Sequence, residues 1–361
     1  MEAAHPEARP LQPGGPAVNL PLSTDYAAAE SEPRDELPTG PEWQYEPKWD
    51  GFRCLAFRDG DEVDLRSKAG KPLARYFPDV ADALRSLRAR RFVLDGEIVI
   101  PVDGSLSFEE LQLRLHPAES RVRKLAAVHP ATLVAFDLLL GARGGVLVDR
   151  PLRERRAKLQ AFADQFFAER VALSPVTDDA EQARAWLEQG EKGLDGVMAK
   201  RLDLPYLSGE RTGMVKIKNV RTADCVVGGF RYAQKERVVG SLLLGLYDEV
   251  GKLNHVGFCS SISRGERKEL TERLEALRGG EGFSGAAPGG ESRWTRMSDR
   301  STEWEPLLTE LVVEVSYDHF TGGRFRHGTG FVRWRPDKAP EQCTYAQLGT
   351  AGRESLRLLG V

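Results

Sequence analysis

Nowhere in the 361 residues do 18 consecutive apolar side chains occur, which excludes a helical membrane span. The N-terminus shows no basic-then-apolar leader, so the chain is not expected to be secreted. Cysteine is scarce. Cys54, Cys225, Cys259 and Cys343 are scattered and form no CxxC pair. That excludes a sequence-local zinc knuckle and a dense disulfide framework, and it fits the reducing cytoplasm. The GxxxxGK(S/T) phosphate loop is missing, since Gly70-Lys71 is followed by Pro72, and so are the HExxH and GxSxG signatures. The common nucleotide-binding and hydrolase folds lose ground accordingly. No internal repeat is visible either.

A strong charge of one sign is also lacking, because the formal net charge is only −3. Its distribution matters more than its sum. Residues 1–47 hold 2 basic and 9 acidic side chains, a balance of −7, and the rest of the chain carries +4. A phosphate-bearing partner therefore remains compatible with the body of the protein. Residues 1–41 also hold 8 of the 21 prolines. Such a segment cannot bury enough apolar area to fold alone. Residues 1–40 are expected to be disordered or to lie extended on the body, with a docking arm as the functional alternative.

What is present is a globular composition, 41% hydrophobic and 29% charged, long enough for two or three domains. Alternating residues predict a hairpin over 53–58 and 62–65. Helices are expected over 78–90, 106–116, 151–168 and 179–190. Buried strands are expected at Phe92-Val93-Leu94 and Ile98-Val99-Ile100, on either side of Asp95-Gly96-Glu97, and at 133–139, 196–200 and 214–218. Beyond a boundary near Val220 the pattern becomes short strands at regular spacing, over 225–230, 241–247, 253–258, 311–317 and 330–335. A helix at about 264–278 and a loop with six glycines at 279–290 are inserted among them. Five strands with a helix mid-way suggest a small closed barrel of the OB type.

Several short stretches could carry chemistry. Lys48-Trp49-Asp50-Gly51-Phe52-Arg53 places a lysine after a strand-like segment and before a glycine turn. A deprotonated lysine amine can attack phosphorus, and nearby cations lower its pKa. Asp95-Gly96-Glu97 places carboxylates at the end of a core sheet. Phe136 could offer a ring for a purine. Lys216 and Lys218 share one strand face and suit an anionic phosphate. Asp195 could give a hard oxygen to a cation. Each has a plainer reading when taken alone: surface structure for Lys48, a hairpin turn for Asp95-Gly96-Glu97, a core ring for Phe136, a solvated strand for the lysines, a turn for Asp195. Arg333-Trp334-Arg335-Pro336-Asp337-Lys338 could be a solvated edge.

In order and spacing the series resembles the covalent nucleotidyltransferases: DNA ligases, RNA ligases and mRNA-capping enzymes. Lys48-x-Asp50-Gly51-x-Arg53, Asp95-Gly96-Glu97, Phe136-Asp137, Asp195-Gly196-Val197, Lys216-x-Lys218 and Arg335-Pro336-Asp337-Lys338 are similar to six family motifs, in family order. Tyr45 to Arg53, Arg333 to Lys338, Arg221 to Val227 and Gly240 to Tyr247 resemble the compact bacterial ligase C group of ATP-dependent DNA ligases.

The resemblance implies an α+β fold. A nucleotidyltransferase domain with ATP-grasp-like antiparallel sheets and helices would occupy 41–220, and an OB-fold domain 221–361. It implies ATP and Mg²⁺ or Mn²⁺ as cofactors, and nicked or broken double-stranded DNA as partner. It also fits a monomer in cytoplasmic DNA repair, with repair proteins as further partners. On this reading Lys48 is the catalytic nucleophile that becomes adenylated. Glu46 sits near the adenine, Phe136 stacks on it, and Arg53 and Glu97 contact the ribose and its surroundings. Lys216 and Lys218 grip the α-phosphate, and Arg335, Asp337 and Lys338 orient pyrophosphate. Glu97 and Asp195 hold the metal. Lys68 follows Ser67 where the family carries arginine, and Asp195 stands where it carries glutamate. RNA ligation or capping, and a non-catalytic DNA-end-binding module, are the alternatives.

Overall fold

Two sheets organise the N-terminal half of the protein in a computed structural model, which describes residues 18–188, 194–219, 221–286, 303–348 and 358. The chain divides into two compact units, Met1–Lys218 with Ala351–Val361, and Asn219–Thr350.

In the first unit a five-stranded sheet has the order Glu62–Ser67, Phe52–Asp59, Arg91–Val99, Thr132–Leu140, Val171–Leu173. All its pairings are antiparallel except the last. Because successive side chains alternate between faces, Cys54 and Ala56 pack with Leu94, Leu133 and the helices Pro78–Ser86 and Leu152–Phe166. Leu55, Phe57 and Val93 pack on the other face with Ala28, Ala29 and Tyr206. Both faces are therefore buried.

A second sheet has the order Glu32–Arg34, Met214–Lys218, Gly196–Arg201, Trp43–Pro47. Its alternation is cleanly divided. Tyr45, Val197, Ala199, Val215 and Ile217 enter one hydrophobic core. Their alternates, Gln44, Glu46, Met198, Lys200, Lys216 and Lys218, form a largely polar face. Of the candidate site residues, Glu46, Lys216 and Lys218 lie on that face.

One difference from the sequence reading concerns the site. Asp95-Gly96-Glu97 does not separate two strands or close a hairpin; it runs through the middle of the single strand Arg91–Val99. Glycine reads as a breaker, but here it admits a close neighbour: a Cβ on Gly96 would stand 2.7 Å from the Val134 carbonyl oxygen. Part of the segment expected to be disordered or to lie extended on the body is a strand. Glu32–Arg34 pairs in parallel with Val215, Lys216 and Ile217. Residues 1–17, and 287–290 of the glycine-rich loop, lie outside the described residues.

The second unit has its own core, from Cys225, Phe230, Leu244, Val256, Leu274 and Val313 among others. Its strands run Leu253–Cys259, Val239–Tyr247, Arg221–Tyr232, Val312–Tyr317, Gly330–Trp334 in spatial order. A bridge between Cys259 and Thr329 joins the two ends of that order, so the sheet closes on itself. The helix Arg267–Glu275 lies between the third and fourth of these strands in sequence. This is the OB-fold arrangement. Gly280-Glu281-Gly282-Phe283-Ser284-Gly285 has GxGxxG spacing, but it trails a helix rather than a strand and Phe283 is buried in the core, so it is not a dinucleotide turn.

Candidate active site

Lys48 follows the strand Trp43–Pro47 directly. Its backbone is tied to the neighbouring strand by Lys48 N–Gly196 O at 2.9 Å and Asp195 N–Lys48 O at 3.1 Å. Gly196 sits at φ +141°, where a side chain is strained, and a Cβ there would collide with the Ile217 carbonyl. This close packing sets Asp195 beside Lys48, whose Nζ forms an ion pair with Asp195 Oδ2. Burial holds the Lys48 ammonium below the ordinary lysine range. Glu97 and Asp50 act in the opposite direction, while Lys218 and Lys216 push it down further.

Arg53 and Glu97 are paired in register on adjacent strands. The Arg53 guanidinium binds fully buried Asp95 with both ends, Nε–Oδ1 and Nη2–Oδ2 each 2.6 Å. Its Nη2 also donates to Ala29 O at 3.3 Å. Glu97 is half-buried, and among the described residues its carboxylate accepts no hydrogen bond. Desolvation raises it to about 7 despite the pull of Arg53 and Lys48.

Glu46 is buried and held by Lys200 Nζ at 2.8 Å and Gln44 Nε2 at 3.0 Å. The Lys200 ammonium lies 4.3 Å from the centre of the Phe136 ring, and the Arg53 guanidinium 4.6 Å. Phe136 is therefore the floor under two cations rather than only a core ring. Lys68 and Arg211 flank Glu30, and Lys216 is held below the usual lysine range by burial and then by Lys68, Lys218 and Arg211.

Within the first unit the structure thus brings Lys48, Arg53, Glu97 and Asp195 into one charged neighbourhood, with Glu46, Phe136, Lys68, Lys216 and Lys218 linked to it through these contacts. Sequence reasoning missed Asp95 as the partner of Arg53, and Lys200, Tyr206 and Glu30 altogether. Lys200 alone carried a signal: it lies two residues after Met198, on the face that alternation assigns to Glu46.

The other three candidates belong to the second unit. Arg335 Nη1 binds Asp224 at 2.9 and 3.0 Å, and its Nη2 binds Asp337 Oδ2 at 2.9 Å. Lys338 Nζ donates to Asp224 Oδ2 at 2.6 Å. The Arg335 guanidinium holds the exposed Asp337 carboxyl down at about 2.

A divalent cation fits the donor set. Glu97 and Asp195 offer hard carboxylate oxygens, and among the described residues the Glu97 carboxylate accepts no hydrogen bond. No group of three or more acidic, histidine or cysteine side chains suited to a metal occurs among the described residues. An ion here would keep positions for phosphate oxygens and water, as Mg²⁺ does.

Sequence comparison supplies the context. The ATP dependent DNA ligase domain matches residues 30–218, and the ATP dependent DNA ligase C terminal region matches residues 235–338. DNA ligase C1 of Mycolicibacterium smegmatis is 44% identical over 344 residues, spanning 92% of this chain and 95% of its own length. DNA ligase C of Mycobacterium tuberculosis is 44% identical over 328 residues, with 85% and 90% covered. A solved Lig E DNA ligase shares the fold at 18% identity, with a TM-score of 0.54 and 86% and 99% of the two chains covered.

Proposed function

The chain belongs to the ATP-dependent DNA ligases, and from that membership we propose that Lys48 is the residue through which it carries AMP to a DNA nick. The observation that supports this reading is the state of Lys48. It is a largely buried amine with a depressed pKa, ion-paired to Asp195 and influenced by Lys216 and Lys218. Burial and the nearby Lys216 and Lys218 favour the neutral amine that attack on phosphorus requires, while the ion pair with Asp195 favours the ammonium.

In the first step ATP is substrate. The Lys48 nitrogen forms a bond to the α-phosphorus while the α–β bridging P–O bond breaks, and pyrophosphate leaves with the electron pair. Asp195 stands ready to receive the amine proton. Lys216 and Lys218 neutralise the α-phosphate, and Arg53 and Glu97 position the ribose. Glu46 meets the adenine, which stacks on Phe136 in place of one of the two cations now over that ring. Glu97 and Asp195 hold Mg²⁺ or Mn²⁺, which when bound offsets negative charge on the phosphate oxygens. Arg335, Asp337 and Lys338 orient the departing pyrophosphate. AMP then passes from Lys48 to the 5′-phosphate of the nick, and the 3′-hydroxyl displaces it.

Residues 41–220 act as the adenylation domain and 221–361 as the OB-fold domain. The enzyme works as a cytoplasmic monomer on nicked or broken duplex DNA in repair, with repair proteins as partners. The basic residues Arg324, Arg326, Arg333, Arg335 and Lys338 provide salt-sensitive, sequence-independent phosphate contacts. No described helix is long and apolar enough to cross a membrane. The test is incubation with ATP and Mg²⁺ or Mn²⁺: the wild type gains a covalent AMP and Lys48→Ala does not. A wild type without the adduct refutes the assignment.

A further inference from the structure

Ala29 belongs to the segment ahead of the strand Glu32–Arg34, and both of its backbone groups are engaged by the sheet that carries Arg53. Its N–H donates to the Tyr206 hydroxyl at 2.9 Å, and its carbonyl accepts from Arg53 Nη2 at 3.3 Å. The same hydroxyl donates to Asp95 Oδ2 at 2.6 Å, the oxygen that Arg53 Nη2 also reaches at 2.6 Å. Four residues thus form a closed ring of hydrogen bonds, from Arg53 to Asp95, Tyr206, Ala29 and back. Three of them are shut off from water: Asp95 is 0%, Ala29 6% and Tyr206 7% exposed. Packing holds the segment as well, because Leu22, Ala28 and Ala29 share a core with Leu55, Phe57 and Tyr206. Burial, then the charge of Asp95, keeps the Tyr206 phenol well above its ordinary range, so the hydroxyl remains a donor.

We propose that Tyr206 is a positioning residue for Arg53, and that through Asp95 and the main chain of Ala29 it fixes the guanidinium that meets the ribose of ATP. Of the five N–H groups of a guanidinium, those on Nε and Nη2 are taken by Asp95 and Ala29. Among the described residues Nη1 has no hydrogen-bond partner, so it is the nitrogen left for substrate. A carboxylate gripped by Arg53 alone could swing together with it. The Tyr206 hydroxyl adds a donor from a different part of the chain, and Ala29 N anchors that hydroxyl in turn. The guanidinium is then oriented before the nucleotide arrives, and small misplacements of such a group are costly. The N-terminal segment thereby completes the nucleotide site. The proposal rests on the reading of Arg53 as a ribose contact.

The test compares self-adenylation of the full-length protein by ATP, 2′-deoxy-ATP and 3′-deoxy-ATP at low nucleotide concentration. The wild type is expected to use at least one deoxy analogue more slowly than ATP. Tyr206→Phe removes one oxygen and keeps the ring that packs on Tyr26 and Arg155. It should slow the reaction with ATP about ten-fold and the disfavoured analogue less, so the gap between them narrows. Tyr206→His, which retains a ring donor, should narrow it less. The gap is a ratio read within each folded protein, so a hydroxyl that only adds stability would lower the urea midpoint and leave the ratio alone. An unchanged gap in Tyr206→Phe, or in Tyr206→His where the phenylalanine variant does not fold, overturns the proposal. A wild type that takes up AMP but uses all three nucleotides equally removes the ribose role of Arg53, and the proposal with it. A wild type that takes up no AMP refutes the adenylation reading itself, which keeps that failure distinct.

Discussion

Lys200 and Glu46 form a buried ion pair, 2.8 Å between Nζ and Oε2, with side chains only 5% and 2% exposed. Removing one member leaves the other charged, buried and unpaired. Lys200→Met should therefore lower stability by about 3–5 kcal/mol. The double change Glu46→Leu with Lys200→Met should recover most of that loss in urea unfolding, because neither charge then remains. ATP-dependent adenylation should not recover with it, because the adenine would have lost Glu46. Equal recovery of both would remove Glu46 from base recognition.

The rate of self-adenylation should rise with pH until Lys48 is fully neutral, with a midpoint below that of an ordinary lysine. The neighbours fix the signs. Glu97 favours the ammonium, so Glu97→Gln moves the midpoint down. Lys216 disfavours it, so Lys216→Ala moves the midpoint up. Single-turnover rates across pH test both, and identical midpoints in all three proteins would exclude Lys48 as the titrating group.

Glu97 also makes a stability prediction. Its folded-state pKa, about 7, lies above the ordinary 4.5. The proton is therefore held more tightly in the folded state, and stability declines as pH rises from 4.5 through 7. Above that range the full cost of an ionised, desolvated carboxylate applies. Without nucleotide or metal, Glu97→Gln should be more stable than wild type by about 2 kcal/mol at pH 8.5. The gap should close towards pH 4.5. Urea midpoints at the two pH values measure it.

In the second unit, Asp224 binds both Arg335 and Lys338. Asp224→Asn keeps the shape and removes the charge that holds the two cations. Self-adenylation should slow about ten-fold or more, as losing a positioning contact does. Sealing of a nick that already carries AMP should slow less, since that step involves only the DNA phosphate contacts of Arg335 and Lys338 and no departing pyrophosphate. Equal slowing of both steps would argue against a pyrophosphate role.

The strand-borne lysines were legible because alternation by itself separates Lys216 and Lys218 from Val215 and Ile217. The hairpin and the barrel strands were legible for the same reason. Pairings across long sequence separations were not. Arg53 meets Asp95 42 residues away, and Lys200 meets Glu46 154 residues away. No local pattern marks either partner. Gly96 was misread because a glycine that permits close strand packing looks the same as one that breaks a strand. The helix Glu119–Val128 escaped notice because it buries only Val122 and Ala126, too few for a visible stripe. Glu32–Arg34 is wholly exposed and contains a proline, so nothing in its composition suggests a strand.

All four cysteines are buried thiols without disulfide partners, and Cys54 lies on the strand that carries Arg53 while the other three lie in the second unit. Burial pushes the Cys54 and Cys225 thiols well above their ordinary range. A folded chain should thus resist alkylating reagents, and each thiol reacts only when its surroundings open. The protein carries its own chemical clocks, one in the first unit and three in the second. Timing their modification with and without ATP would reveal which part of the molecule the nucleotide steadies.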